Sequence, residues 1–395
     1  MAPSSADRAP FAPAPAVRRG DLIFVGGTAA LDEAGRILHP GDVRAQADAV
    51  LERIERVLAE HGGSLADVVS VTSFHADVRT IPEVFEAART AFPNDPPAWT
   101  QAGMVGCQHV GALVTIRAIA HVGPGARQSI VPDSHAWMRD LPMAAACRKD
   151  DLVFLAGQTA IGADGDVAQP LDHREQARHA YDRMAEILEL VGGSFDDVLD
   201  FTSFHLDIRG AEATLEDVYF PHVLGPVART HAATTVHVGA TGLLRPDLLG
   251  VYSAIADLGG GERIGSAPAI ITWNDNGTYP IAGAARKRDG RLVTVAGQVS
   301  SGPDGEIFRP GDLEGQLRFI FEEIAASLDE IGGSLADLTE ICSFHKDPRS
   351  WETAMRVAAD VLDADAPPAW TFVGSPGLWL EGYQHEIAAY AVLDG

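Results

Sequence analysis

The residue types best suited to chemistry recur three times, in TSFHADVR at 72–79, TSFHLDIR at 202–209 and CSFHKDPR at 342–349. An imidazole titrates near neutrality, so His75, His205 and His345 are candidate general acids or bases if they line a cleft. Three equivalent histidines around a threefold axis would instead suit a metal, provided that they lie close to that axis. A third reading is structural: each His hydrogen-bonded locally, the Asp capping the helix that follows, and the Arg tying down the turn. Strand residues alternate faces, so His75 shares a side with Ser73 and Val71 while Phe74 points the other way. The persistence of all three copies favours the structural reading.

The elements that must position these residues are repeated with them. His75, His205 and His345 are spaced by 130 and 140 residues. Gln46, Gln176 and Gln316 keep those spacings, as do the Gly-Gly-Ser turns at 62–64, 192–194 and 332–334. Markers moving in register mean that whole domains were duplicated. The spacing places the units at 15–122, 131–257 and 264–395, joined by Gly/Pro-bearing stretches and preceded by a Pro/Ala-rich tail over 1–14 that is expected to be frayed.

Within the first unit, DLIFVGG reads as a strand, DEAG as a turn, and residues 43–61 as an amphipathic helix with one apolar stripe. Gly62 and Gly63 stop that helix, and Ser64 with Asp67 forms a capping turn. A strand over 68–76, a helix over 81–92 and two closing strands complete a ββαβαββ unit of α+β class. Two helices cover one face of such a sheet, and the other is bare. Three copies predict three sheets packed bare face inward around a pseudo-threefold axis, as protomers pack in a trimer.

Composition narrows the partners. A formal charge of -25 disfavours nucleic acid and acidic membrane surfaces and leaves a small-molecule substrate. The three cysteines have no zinc spacing or disulfide framework, and no stretch has the length of a signal peptide core or a membrane span, so a cytoplasmic protein is expected. No Walker segment, His-Glu-x-x-His or Gly-x-Ser-x-Gly occurs, and neither cofactor nor metal is expected.

The segments VAGQVSSGPDG (295–305) and LAGQTAIGADG (155–165), the Q…GGS…DV helix and turn, PPAWT, PVART and the TIRAIA closing strand resemble, in that order, the Rid family (reactive intermediate deaminases, YjgF-like). The resemblance implies a chorismate-mutase-like fold three times in tandem, packed as a single-chain, monomeric pseudo-trimer with ligand clefts between repeats. It also implies hydrolysis of imines or enamines. In such enzymes an Arg in Pro-x-Ala-Arg-Ser/Thr holds the substrate carboxylate and a Glu in the last strand helps water attack. A guanidinium forks onto a carboxylate, and a placed carboxyl shuttles a proton.

Carried over position by position, the arginine falls on Arg229 in PVART, against Trp99 and Trp370 in PPAWT, and the acid on Glu386, against Thr115 and about Val251. Arg229 and Glu386 sharing one cleft would leave one competent site of three. Trp99 and Trp370 are candidate aromatic walls of remodelled pockets. The expected function is therefore a Rid-like hydrolase acting on a C–N bond of a small carboxylate-bearing metabolite. The alternatives are a chorismatase-like enol-ether cleavage, and ligand binding or scaffolding without turnover.

Overall fold

The computed structural model describes residues 11–214, 217–219, 221, 233–266, 268–272, 278–302 and 305–393. In the first repeat the described elements are β1 (Ala16–Arg19), β2 (Leu22–Thr28), α1 (Val43–Glu60), β3 (Val68–His75), α2 (Ile81–Ala91), β4 (Ala98–Gly103), a short β5 (Gly106–Cys107) and β6 (Val114–His121). The second comprises β7 (Gln128–Ile130), β8 (Ala146–Lys149), β9 (Leu152–Gln158), α3 (His173–Leu190), β10 (Val198–His205), α4 (Arg209–Thr214), β11 (Thr234–Gly239) and β12 (Gly250–Asp257). The third has β13 (Arg263–Gly265), the hairpin β14 (Pro268–Thr272) and β15 (Thr278–Ala282), β16 (Ala284–Lys287), β17 (Leu292–Val299), α5 (Leu313–Glu330), β18 (Leu338–His345), α6 (Trp351–Val361), β19 (Ala369–Gly374) and β20 (His385–Val392).

The three sheets share one strand order, β1-β2-β6-β3-β4, then β8-β9-β12-β10-β11 and β16-β17-β20-β18-β19. The last pair in each is parallel and the rest antiparallel. The long helices begin at Asp42, Asp172 and Asp312, whose carboxylates accept from the backbone N–H three residues on. They end at Gly62, Gly192 and Gly332, whose φ of 77°, 79° and 86° suits glycine. Gln46 explains its own repetition: its amide donates to the His39 and Gly111 carbonyls and accepts from the Leu113 N–H, stapling the helix start to the last hairpin. Gln176 and Gln316 make the same three bonds.

On the helix-free faces, Phe74, Phe204 and Phe344 meet edge to face, with centroids 6.0, 6.3 and 6.0 Å apart. They mark the pseudo-threefold axis. Above them lies a polar chamber of about 40 Å³ where Arg117 of repeat 1 pairs with Glu340 of repeat 3 at 2.7 Å and Asp200 of repeat 2 accepts from Thr202 and Thr234. Each loop after a parallel edge strand crosses to a neighbour: Val105 bonds Gly374, Thr241 bonds Gly103, and Gly239 bonds Gly377. The three repeats are thus interlocked, not strung.

Two expectations change. Residues 11–14 of the tail are packed, since Phe11 is buried against Trp370 and Ala14 bridges Ala369. An aromatic side chain had enough apolar area to order the backbone around it. The strand β7, which the sequence assigned to a linker, pairs with β8 and extends the second sheet. All three cysteines are free, and burial pushes the Cys147 and Cys342 thiols up to about 11 and about 12.

Candidate functional site

Alternation decides the fate of the repeated histidines. Because Phe74, Phe204 and Phe344 take the axial face, His75, His205 and His345 point into the helix-covered side of their sheets and are 0–1% exposed. They do not converge, and no group of three metal-ligating side chains occurs among the described residues. His75 shares a 2.8 Å bond with Ser73, whose hydroxyl also accepts from the Trp99 indole at 2.9 Å. His345 bonds His385 at 2.7 Å and stacks on Phe372 at 3.8 Å. Burial lowers the pKa of all three, that of His75 to about 3, so all three rings are neutral. His75 and His345 therefore have the surroundings of fold-keeping residues, not of proton-transfer groups in a cleft.

The Asp and Arg of the motif are equally local. Asp77 accepts from the backbone N–H and the guanidinium of Arg79 in the turn leading into α2, and Asp207–Arg209 and Asp347–Arg349 repeat the clasp. Trp99 is a core residue, fully enclosed by Phe85 and Phe92, so it walls no pocket. Trp370 is wedged among Phe11, Phe321 and Trp351, donates to Ser343, and shows one edge to a cleft.

Three equivalent clefts lie where one repeat's last strand faces a neighbour's parallel edge strand. Pairing fixes the acid's position, because Thr115, Val251 and Glu386 stand opposite Phe74, Phe204 and Phe344. Thr115 borders Thr371 of repeat 3 and Val251 borders Thr100 of repeat 1. Glu386 instead accepts from the backbone N–H of His237 in β11 of repeat 2. Pairing also corrects the arginine's position. Ala98, Thr234 and Ala369 stand opposite Ser70, Asp200 and Glu340, so Trp99 and Trp370 correspond to Thr235 and not to Arg229. Arg229 precedes β11 and lies outside the described residues.

The cleft between repeats 2 and 3 is the chemically furnished one. Glu386 is 4% exposed, and burial pushes its carboxyl up to about 8 against the single N–H that steadies its charge. Gly297 makes room for it, since any side chain there would collide with the carboxyl. Tyr383, hydrogen-bonded to Ser301, and the Gln298 amide stand in the same repeat. Trp379 from the crossing loop packs on the His237 ring at 5.7 Å. The β15 strand runs beside β11. Such a protonated, buried carboxyl can donate a proton at neutral pH and take one back afterwards. His237, Tyr383 and Trp379 were missed from sequence. His237 could have been found only from the Ser203 pairing, which needs the correct strand register.

In the other two clefts Thr115 and Val251 stand where Glu386 supplies its acid. Between repeats 1 and 2 the segment leading into β8 fills the space, with Met143 against Gln101 and His135 bonded to Gln158 at 2.6 Å. Between repeats 3 and 1 a pocket of about 240 Å³ remains, lined by Trp351, Trp370, Gln108, His109 and Arg53. Gln108 and His109 precede β6 in the last hairpin of repeat 1. Burial and then the Arg53 charge lower the His109 pKa, and Arg53 has no ion-pair partner among the described residues.

Comparison with known proteins places the chain in a family. It belongs to the Rid family: the family model described as Endoribonuclease L-PSP matches residues 4–122, 141–247 and 284–393. The 3-aminoacrylate deaminase RutC of Acinetobacter baylyi is 36% identical over 114 residues, which is 29% of this chain and 90% of that protein. The RutC family protein YjgH of Escherichia coli is 36% identical over 109 residues, 27% of this chain and 80% of that one. The whole arrangement is similar to a chorismatase crystal structure, with a TM-score of 0.58 over 83% of this chain and 93% of the other. At 13% identity that likeness is one of fold. No helix among the described residues is long and apolar enough to cross a membrane.

Proposed function

We propose that this protein is a cytoplasmic, monomeric hydrolase that releases ammonia from an imine or enamine of a small carboxylate-bearing metabolite, in the cleft between repeats 2 and 3. The observation that carries this reading is the placement of Glu386, buried and protonated at neutrality, at the one cleft whose last strand keeps an acid. The naming of RutC as a 3-aminoacrylate deaminase supports the same chemistry. Glu386 protonates the substrate, at carbon for an enamine or nitrogen for an imine. The resulting carboxylate accepts a proton as water attacks the C=N carbon, and the C–N bond of the carbinolamine then breaks with the electron pair leaving on ammonia. The substrate plus one water gives a carbonyl compound and ammonia. Arg229, upstream of the strand that faces Glu386, is the candidate carboxylate clamp.

In a test with imines generated in situ by an amino-acid oxidase, Glu386→Gln lowers kcat by about 10²-fold or more, the usual range for a lost acid–base group. The wild-type rate falls as pH rises past about 8, where the required proton leaves Glu386. Enol ethers assayed in parallel address the chorismatase-like alternative. Faster turnover of these, with imines untouched, would replace the reading.

Ligand binding without turnover is a second reading that one observation favours, and only for the cleft between repeats 3 and 1. The described lining of its pocket holds no acid, and Arg53, without an ion-pair partner among the described residues, stands beside two indoles. A planar carboxylate there is expected to quench tryptophan fluorescence, and Arg53→Leu to weaken its binding about tenfold or more, as loss of a charge-assisted bond does. Unchanged affinity in that variant would remove the reading.

A further inference from the structure

Repeat 2 departs from its sisters in how it completes the Ser–His pair of the motif. In repeat 1 the Trp99 indole donates to Ser73 and ends the network, and in repeat 3 the Trp370 indole donates to Ser343 while His345 bonds His385 and Ser350 instead. In repeat 2 the tryptophan position is Thr235, and His237 takes the serine instead. A continuous chain results. His173 Nε2 and His205 Nδ1 are 3.1 Å apart, His205 Nε2 and Ser203 Oγ 2.7 Å, and Ser203 Oγ and His237 Nδ1 2.6 Å. His173 is half-buried at the start of α3, with the carboxylates of Asp172 and Asp207 near it. At the other end, His237 Nε2 is buried without a hydrogen-bond partner. Leaving such a group unsatisfied costs about 1–3 kcal/mol; His75 Nδ1 and His345 Nε2 are also without a partner, but only the His237 ring packs on Trp379 of the neighbouring repeat, beside the strand that holds Glu386.

We propose that His237 is a second proton-transfer residue of the cleft between repeats 2 and 3, and that Ser203 and His205 pass protons between it and His173 by exchange of tautomers. The proposal rests on the hydrolytic reading of that cleft, because the backbone of His237 holds Glu386 and its ring meets Trp379 of repeat 3.

Along its short bonds the chain has two self-consistent arrangements; the remaining option, Ser203 donating to the Val236 carbonyl, is longer at 3.3 Å. In the first arrangement His173 Nε2–H donates to His205, His205 Nε2–H to Ser203 and Ser203 to His237 Nδ1, which leaves a proton on His237 Nε2. In the second every donor is reversed, His173 carries its proton on Nδ1, and His237 Nε2 is a bare acceptor. Passing from first to second delivers one proton from His237 Nε2 and takes up one at His173 Nδ1. The reverse passage returns one. No ring between them becomes charged, which matters because desolvation holds the His205 pKa well below its ordinary value, with further repulsion from His237 and His173. Tyr252, edge-on to His205 at 5.4 Å, adds no charge. In the hydrolysis His237 Nε2–H protonates the carbinolamine nitrogen, ammonia leaves, and the freed Nε2 accepts the carbinol O–H proton as the carbonyl forms.

Nitrogen NMR of the full chain labelled in histidine tests the relay without any substrate. As pH is lowered through the His173 titration, a protonated His173 must donate at Nε2, so the His237 ring is expected to shift towards its Nε2–H tautomer with the same midpoint. In Ser203→Ala, His173 still titrates and His237 no longer follows. A His237 ring indifferent to the His173 titration in wild type would overturn the relay, even if the enzyme turns over. In the imine assay, His173→Gln is expected to lower kcat about tenfold at unchanged KM and to alter the pH profile. Coupled NMR titration without turnover would leave the relay standing and remove the hydrolytic reading. Full turnover with His237→Gln would remove His237 from the chemistry.

Discussion

At the scale of single residues the molecule is shaped by groups that burial keeps uncharged. The folded-state pKa of Glu386 is raised from 4.5 to about 8, so the stability this group contributes is full below the unfolded value and is lost as pH rises through about 8. The buried histidines act in the opposite direction. His75 is held at about 3 and His237 and His385 at about 4, so their contribution is present above 6.5 and lost as pH falls towards those values. Thermal melts of Glu386→Gln should therefore fall off less than wild type between about pH 5 and 8, by up to ~1.4 kcal/mol per unit, and match it on the acid side. Parallel curves between about pH 5 and 8 would mean that Glu386 is solvated. The position of Glu386 was legible because the last strand has no insertion before it. That of the clamp was not. His75 and Gly103 are 28 residues apart and His345 and Gly374 29, but His205 and Gly239 are 34 apart, and in that longer stretch PVART imitates the motif five residues before the strand. Strand pairing, which a short motif cannot report, sets the register.

At the scale of elements, the Asp–Arg half of the repeated octapeptide proves to be a device for starting a helix. The Asp–Arg clasps are exposed and locally closed, so Asp77→Ala should cost about 0.5–2 kcal/mol in denaturant unfolding, as loss of a cap does, and leave turnover unchanged. A large activity loss at constant stability would bring the Asp–Arg clasp into the chemistry. The alternation of Phe and His along one strand already implied that they serve opposite faces. It could not say which face met the axis. The lead-in segments were the least legible, because their order comes from the neighbour: Ala14 and Ala144 bridge Ala369 and Ala98 of adjoining repeats. A Pro/Ala-rich tail carries no periodicity to announce such docking.

At the scale of the whole molecule, fusion allows three clefts that began alike to diverge, because each interface is made from two different repeats. The axis pays for that freedom with an aromatic trio and one buried ion pair. Phe204→Ala should lower global stability by about 3–5 kcal/mol, read by chemical denaturation, since the other two rings cannot fill its place. A loss under ~1 kcal/mol would mean that the repeats are not packed through it. Three tandem domains and bare faces turned inward followed from the repeat spacing alone, because a sheet covered on one side needs a partner for the other. The inequality of the clefts followed only in part, from an acid kept once in three copies. The most direct test of the account is the rate of imine hydrolysis by wild type and Glu386→Gln at pH 7. A wild-type rate above background that falls about 10²-fold in the variant is the result expected of a single working cleft between repeats 2 and 3. Equal rates in the two proteins, or none above background in wild type, would contradict it.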